Sequence, residues 1–307
     1  MATAEERQKR AARAAVSVAL GLALAKVAVG LFVNSIAVLA SAMDSLLDVL
    51  ASGMNLLAIR VSHAPPDQEH RFGHAKAEAL ATSAQALLIG GSAVYLLIEG
   101  ARRIAAPQAF RKPTLALGMM LVAAAVSGIL VTYMRRVARE TSSSALEADA
   151  THYATDVLSN LAILVGVAFA AATRLGFLDG ALTVGIALYV GAAAFRLLRG
   201  STRVLMDHEI PAANRERILE VVRPFVGRIR AFHGLRTRSA GQRVFVELHL
   251  EMDGALPLRR AHEIGDDVEA AIHGVLPAAQ VLIHLDVEED EPPLPREGAA
   301  PPGSKTS

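Results

Sequence analysis

Six long stretches of the chain are almost wholly apolar, and the polar residues gather between and after them. The stretches cover residues 14–33, 36–59, 79–98, 114–134, 146–172 and 178–198. A helix needs about 20 mostly apolar residues to cross the hydrocarbon core of a bilayer, so each is read as a membrane-spanning helix. Gly and Ala recur within them, as expected where helices pack closely in lipid. The first stretch is too long for the apolar part of a cleavable signal peptide and is followed at once by a second span.

Beyond residue 203 the pattern changes. Residues 212–225 and 258–272 read as helices. Val244, Val246, Leu248, Leu250 and Met252 alternate with Phe245, Glu247, His249 and Glu251, the period-two signature of a half-buried strand. Residues 281–287 alternate likewise, with Ile283 and Leu285 on one face and His284 and Asp286 on the other. With a first strand near residues 233–239, the order is αββαβ, a small ferredoxin-like sheet-and-helix sandwich. The expected fold class is therefore an α-helical membrane protein: six transmembrane helices followed by a small αββαβ domain. The expected organisation is an N-terminal segment over residues 1–13, a membrane domain over 14–203, a soluble domain over 204–290 and a Pro- and Gly-rich disordered tail over 291–307.

Charge sets the orientation. Arg7, Lys9, Arg10, Arg13, Arg60, Arg71, Lys76, Arg135, Arg136, Arg139, Arg199 and Arg203 flank the spans on one side. Arg102, Arg103, Arg111, Lys112 and Arg174 lie on the other. The richer side belongs in the cytoplasm, which places both termini there. Apolar residues make up 52% of the chain and the net charge is only +1, which excludes a basic nucleic-acid surface. Cysteine is absent, so disulfides, thiolate nucleophiles and thiolate metal ligands are excluded together.

Within the spans, a few charges stand out. Asp44 and Asp48 lie four residues apart in the second, on one helix face. An ionised Asp at the bilayer centre costs about 2.5–3.5 kcal/mol even on the lenient insertion scale. A cation held between two carboxylates relieves that cost. The fifth span repeats the spacing with His152 and Asp156. Three carboxylates and one imidazole suit tetrahedral Zn²⁺ or a similar transition metal better than Ca²⁺ or Mg²⁺; the alternative is interhelical hydrogen bonding. Asp149 shares the face of His152 and could cap the helix, line an entrance or stay solvated. Lys26, deep in the first span, should snorkel or face a polar cavity.

Two further clusters lie outside the spans. Asp67, His70 and His74 have metal-ligand spacing in the second-to-third connection, where solvated histidines are the alternative. His233, His249, His262, His284 and Asp286 are spread through the soluble domain. They could hold two ions with a bridging carboxylate, or be ordinary surface residues. His63, His208 and His273 read as surface.

The Asp44–Asp48 pair, the segment from Asp67 through His70 and His74 to Glu78, and the His152–Asp156 pair together resemble the cation diffusion facilitator family. The likeness covers nearly the whole chain and is closest to the bacterial zinc and ferrous-iron efflux branch. It implies a homodimeric divalent-cation/proton antiporter of the bacterial cytoplasmic (inner) membrane, working by alternating access. Its substrate would be zinc, or else iron(II), cadmium or cobalt, with protons as counter-ion. The resemblance maps a transport site onto Asp44, Asp48, His152 and Asp156, and a loop site onto Asp67, His70 and His74. It maps a dinuclear cytoplasmic site onto His233, His249, His262, His284 and Asp286. It also implies a charge lock near the dimer axis, with Lys76 and Asp207 at the matching places. A snorkelling Lys and a solvated Asp are the alternative there.

Ligands that must deprotonate to bind metal couple metal release to protonation, and His152 is the natural proton carrier. An enzymatic role would need an open metal position and a general base, and four protein ligands close this site. The chain is therefore expected not to be an enzyme. The alternative function is a non-transporting membrane metal receptor or scaffold.

Overall fold

The computed structural model describes residues 3–32, 36–105, 114–173, 177–241 and 243–287. The expected tail lies outside them, as do Arg111, Lys112, Arg174 and the side chain of Asp44. The chain divides into two compact units, Met1–Leu205 and Met206–Ser307.

The first unit consists of six long helices: α1 (Ala4–Phe32), α2 (Ile36–Ser62), α3 (Ala77–Ala105), α4 (Thr114–Thr141), α5 (Ser144–Thr173) and α6 (Phe177–Leu205). Among the described residues, five are long and apolar enough to cross a membrane, within α1, α2, α3, α4 and α6. The remaining helix, α5, is 30 residues long and carries Glu147, Asp149 and Asp156. Several helices run past the apolar stretches that announced them. The clearest case is α1, which begins at Ala4 inside the segment expected to precede the first span. Thr3 and Glu6 form a capping box: the Glu6 N–H donates to Thr3 Oγ1 and the Thr3 N–H to Glu6 Oε2, both at 3.2 Å. Buried Gln8 then donates to the Thr141 carbonyl at the end of α4 (3.3 Å), and Arg7 pairs with Glu140.

Small residues let these helices approach. Ala11, Ala12, Ala15 and Ala19 on α1 pack with Ile59 of α2, Leu130 and Met134 of α4, and Leu146 and Tyr153 of α5 into one buried cluster. A separate cluster, Ile89, Ala93, Val190 and Ala194, joins α3 to α6. The α3–α6 crossing is tight at Gly100 and Gly180. A Cβ on Gly180 would lie 2.7 Å from the Gly100 carbonyl oxygen and from the Ile104 nitrogen, so only glycine fits.

The second unit follows the expected order: α7 (Ala212–Val222), β1 (Ala231–Ala240), β2 (Arg243–Met252), α8 (Leu258–Val275) and β3 (Ala279–Val287). Residues 223–225, expected to continue α7, tighten into a 3-10 turn containing Pro224, which cannot donate to the helix ladder. Strand β2 is central, antiparallel to β1 and parallel to β3. Val246, Leu248, Leu250 and Met252 pack with Ile218 and Val222 of α7 and with Ile264, Val268 and Ile272 of α8. The helices therefore cover one face of the sheet, and the alternation sends His249 and Glu251 to the other. There the register brings His233, His249 and His284 side by side across the three strands.

Candidate metal sites

In the helical unit, Asp48 on α2 meets His152 on α5, with Asp48 Oδ1 3.0 Å from His152 Nε2. One ligand atom from each of Asp48, His152 and Asp156 lies within 4.8 Å of the other two. Four-residue spacing stacks His152 and Asp156 on one face of α5, and α2 delivers Asp48 opposite them. Asp44 occupies the preceding turn of α2. All three described side chains are half-buried.

Directly beneath lies a polar cluster that the sequence reading missed. Asp149, open from the sequence to capping the helix, lining an entrance or staying solvated, is fully buried. Its Oδ1 accepts from Ser52 Oγ of α2 (3.0 Å) and from Gln85 Nε2 of α3 (3.3 Å). Ser52 also bonds Tyr153 (3.1 Å), the Tyr153 hydroxyl donates to the Ala15 carbonyl of α1 (3.3 Å), and Asn55 donates to Gln85. Four helices are thus tied together by side chains one turn from the metal cluster. Ser52 follows Asp48 by four residues and Asn55 by seven, so periodicity from Asp48 was the available signal. Lys26 finds a polar partner in Ser45 Oγ of α2, 2.6 Å away.

Between α2 and α3 the chain makes a tight turn around Asp67. Asp67 Oδ1 accepts the backbone N–H of His70 (2.6 Å) and of Glu69 (2.9 Å). These bonds, that of His70 foremost, hold its carboxyl below the usual aspartate range. Gly73, at φ +83°, turns the chain back so that His74 Nε2 comes 3.3 Å from Asp67 Oδ2. The His70 and His74 rings stand 4.6 Å apart, and the three ligand atoms lie within 4.8 Å of one another. His63, expected at the surface, is half-buried, its Nδ1 2.8 Å from the Ile59 carbonyl.

On the open face of the small sheet, Asp286 collects three histidines. His249 Nδ1 and His284 Nε2 each lie 2.8 Å from its carboxylate, and His233 Nε2 lies 3.5 Å away. His233, His249 and Asp286 form the compact set, and His284 is more exposed at its edge. A bulge after His233 places Gly234 at φ +64°, where a Cβ would sit 3.0 Å from the His249 ring. His262 stands apart on the exposed side of α8, paired with Asp266 at 3.2 Å, because its position on that helix points away from the sheet. Glu251, on the same strand face as His249, adds a carboxylate oxygen 3.0 Å from His233 Nδ1. Lys76 donates to the Leu205 carbonyl (3.4 Å), and Asp207 accepts from Arg238 (3.1 Å).

Comparison with known proteins matches the model of the cation efflux transmembrane domain over residues 12–206. The model of the cation efflux protein cytoplasmic domain matches residues 210–288. The cation-efflux pumps FieF of Yersinia pestis (strain Pestoides F) and Yersinia pseudotuberculosis serotype O:3 (strain YPIII) are each 41% identical over 280 residues. The match takes in 91% of this chain and 92% of theirs. Two solved structures of CzrB are also similar. The zinc form is 34% identical with a TM-score of 0.26, over 28% of this chain and 97% of that one. The other is 36% identical with a TM-score of 0.25, over 26% and 98%.

Proposed function

The chain belongs to the cation efflux family, the cation diffusion facilitators, and from that premise we propose that it exports a divalent transition-metal ion in exchange for protons. Zinc is the foremost substrate, ahead of iron(II), cadmium and cobalt. The observation that carries this reading is the convergence of Asp48, His152 and Asp156 within 4.8 Å, with Asp48 and Asp156 near the middles of α2 and α5. Ionisable groups at that depth are costly, and a cargo cation offsets the cost. With Asp44 as fourth ligand, the set offers one nitrogen and three oxygens, a borderline donor set suited to zinc.

Metal and protons compete for these groups. A site open to the cytoplasm loads metal as its ligands deprotonate; facing outward, it takes up protons and releases the ion. His152 carries a proton, and the aspartates share any other as a coupled set. Homodimerisation, an inner-membrane location and cytoplasmic termini belong to the same reading. So do metal storage or relay at Asp67, His70 and His74, and metal sensing at His233, His249, His284 and Asp286. In a homodimer, Lys76 and Asp207 would lie near the axis.

The test is metal flux into proteoliposomes with an imposed pH gradient, for Zn²⁺, Fe²⁺, Cd²⁺ and Mn²⁺, on the parent chain and on Asp48→Ala. Flux that follows the gradient and vanishes in the variant is expected. A folded, zinc-binding protein that moves none of the four ions would overturn the transport reading.

A further inference from the structure

Apart from the metal cluster, the helical unit contains a cavity of about 680 Å³ where the ends of α3, α4, α5 and α6 meet. Its mouth carries three arginines, Arg135 and Arg139 on the last turns of α4 and Arg196 on α6. None makes an ion pair among the described residues, whereas their neighbour Arg136 is bonded to Glu140 at 3.0 Å. Glu147 is the one carboxylate among the described lining residues, so the cavity is strongly net positive. The N-terminal end of α5 borders it too, adding the positive end of a helix dipole. Thr82 donates its one hydroxyl proton to the Glu78 carbonyl (2.7 Å), and Ser144 Oγ stands 3.0 Å from Thr82 Oγ1 on the cavity wall. Deeper in, the walls are apolar: Val190, Ala193 and Leu197.

A divalent cation is repelled by such a place, which separates it from the route of the cargo. An anion is drawn in, and arginine forks match phosphate oxygens two at a time. A free anion would have no use for the apolar walls, whereas a phospholipid brings a phosphate and acyl chains together. Basic pockets between membrane helices at the cytoplasmic surface suit anionic headgroups. We propose that this cavity binds the phosphate of an anionic phospholipid, gripped by Arg135, Arg139 and Arg196. The lipid thereby braces α4 and α5 against α6, across the boundary between the two packed helix groups.

The test uses the full chain in neutral detergent. Native mass spectrometry and thermal unfolding follow added phosphatidylglycerol, phosphatidylcholine or inorganic phosphate. Retention and stabilisation by phosphatidylglycerol above phosphatidylcholine are expected. In Arg135→Gln/Arg139→Gln the binding should weaken on the order of tenfold or more. The double Lys variant should keep most of it, and Arg136→Gln on the same turn should leave it unchanged. Three results would each overturn the proposal: equal retention of both lipids, a double Gln variant that binds like Arg136→Gln, or inorganic phosphate stabilising the protein as well as the lipid does. No metal flux enters the readout, so its failure is distinguishable from failure of the proposed transport.

Discussion

Glu251 offers the sharpest quantitative test of the small domain. Its Oε1 lies 3.0 Å from His233 Nδ1, while the other ring nitrogen of His233 faces Asp286 at 3.5 Å. His233 is buried, so few other groups can fix its ring. If Nε2 ligates a metal, Nδ1 carries the proton; that nitrogen makes no hydrogen bond in the metal-free protein, and a small turn of the ring toward Glu251 would set the tautomer and make the ligand more basic. Removing a partner of this kind costs about 10–100-fold in metal affinity, or about 1.4–2.8 kcal/mol. Glu251→Gln keeps an acceptor and loses the charge, which places it near the tenfold end. Glu251→Leu loses both and falls near the hundredfold end. Zinc affinity would be read by competition with a chromophoric chelator on the full chain, with Asp48→Ala and His74→Ala present to silence the other two clusters. The reasoning is refuted if both Glu251 variants hold zinc as tightly as the parent while Asp286→Asn loses it.

Other outcomes follow from the same geometry. His152→Asp removes the only nitrogen donor of the membrane cluster, so flux selectivity should move from zinc toward harder ions such as Mn²⁺; unchanged selectivity would remove His152 from the ligand set. Gly180→Ala would put a methyl 2.7 Å from backbone atoms of α3, prising α3 from α6. Thermal unfolding in detergent should show a loss of about 1–3 kcal/mol, and a silent substitution would mean the crossing is looser than described. The backbone N–H groups of His70 and Glu69 lower the Asp67 carboxyl, so the turn is fully supported above the ordinary aspartate value of about 3.9 and loosens only as pH falls through the lowered value. A carboxyl-carbon NMR titration of the metal-free protein should therefore place the Asp67 midpoint below about 3.9, and a midpoint above it would contradict the turn geometry.

The helices and strands were legible because burial writes a period into the chain. The apolar stretches announced six helices, and the alternation put His284 and Asp286 on one face of their strand and His249 on the polar face of its own. The register across strands is a different matter. That His233 stands opposite His249, with a bulge immediately after it, depends on Gly234 accepting a positive φ, which no periodicity announces. His262 shows the same limit from the other side. It belongs to the right composition of ligands, but α8 turns it outward to Asp266, and only the packing of α8 on the sheet decides that.

Asp149 is the most instructive difference. One helical turn separates it from His152, and by sequence alone a carboxylate near a span end is as easily a cap as a core residue. What buries it is the simultaneous arrival of Ser52 from α2 and Gln85 from α3, residues 97 and 64 positions away in the chain. Each of those is unremarkable by itself, a small hydroxyl and an amide in apolar helices. Together they offer two hydrogen bonds to Oδ1, while buried Oδ2 has none, so they offset only part of a desolvation cost of several kcal/mol. The cluster thus accepts a buried acid in order to fix α2, α3 and α5 against one another beside the metal ligands. Asp48 and His152 can then be held 3.0 Å apart by helices whose relative position is set one turn below them. In the proposed cycle, polar residues that fix helix positions would leave Asp48, His152 and Asp156 free to exchange ion for proton without losing the packing around them.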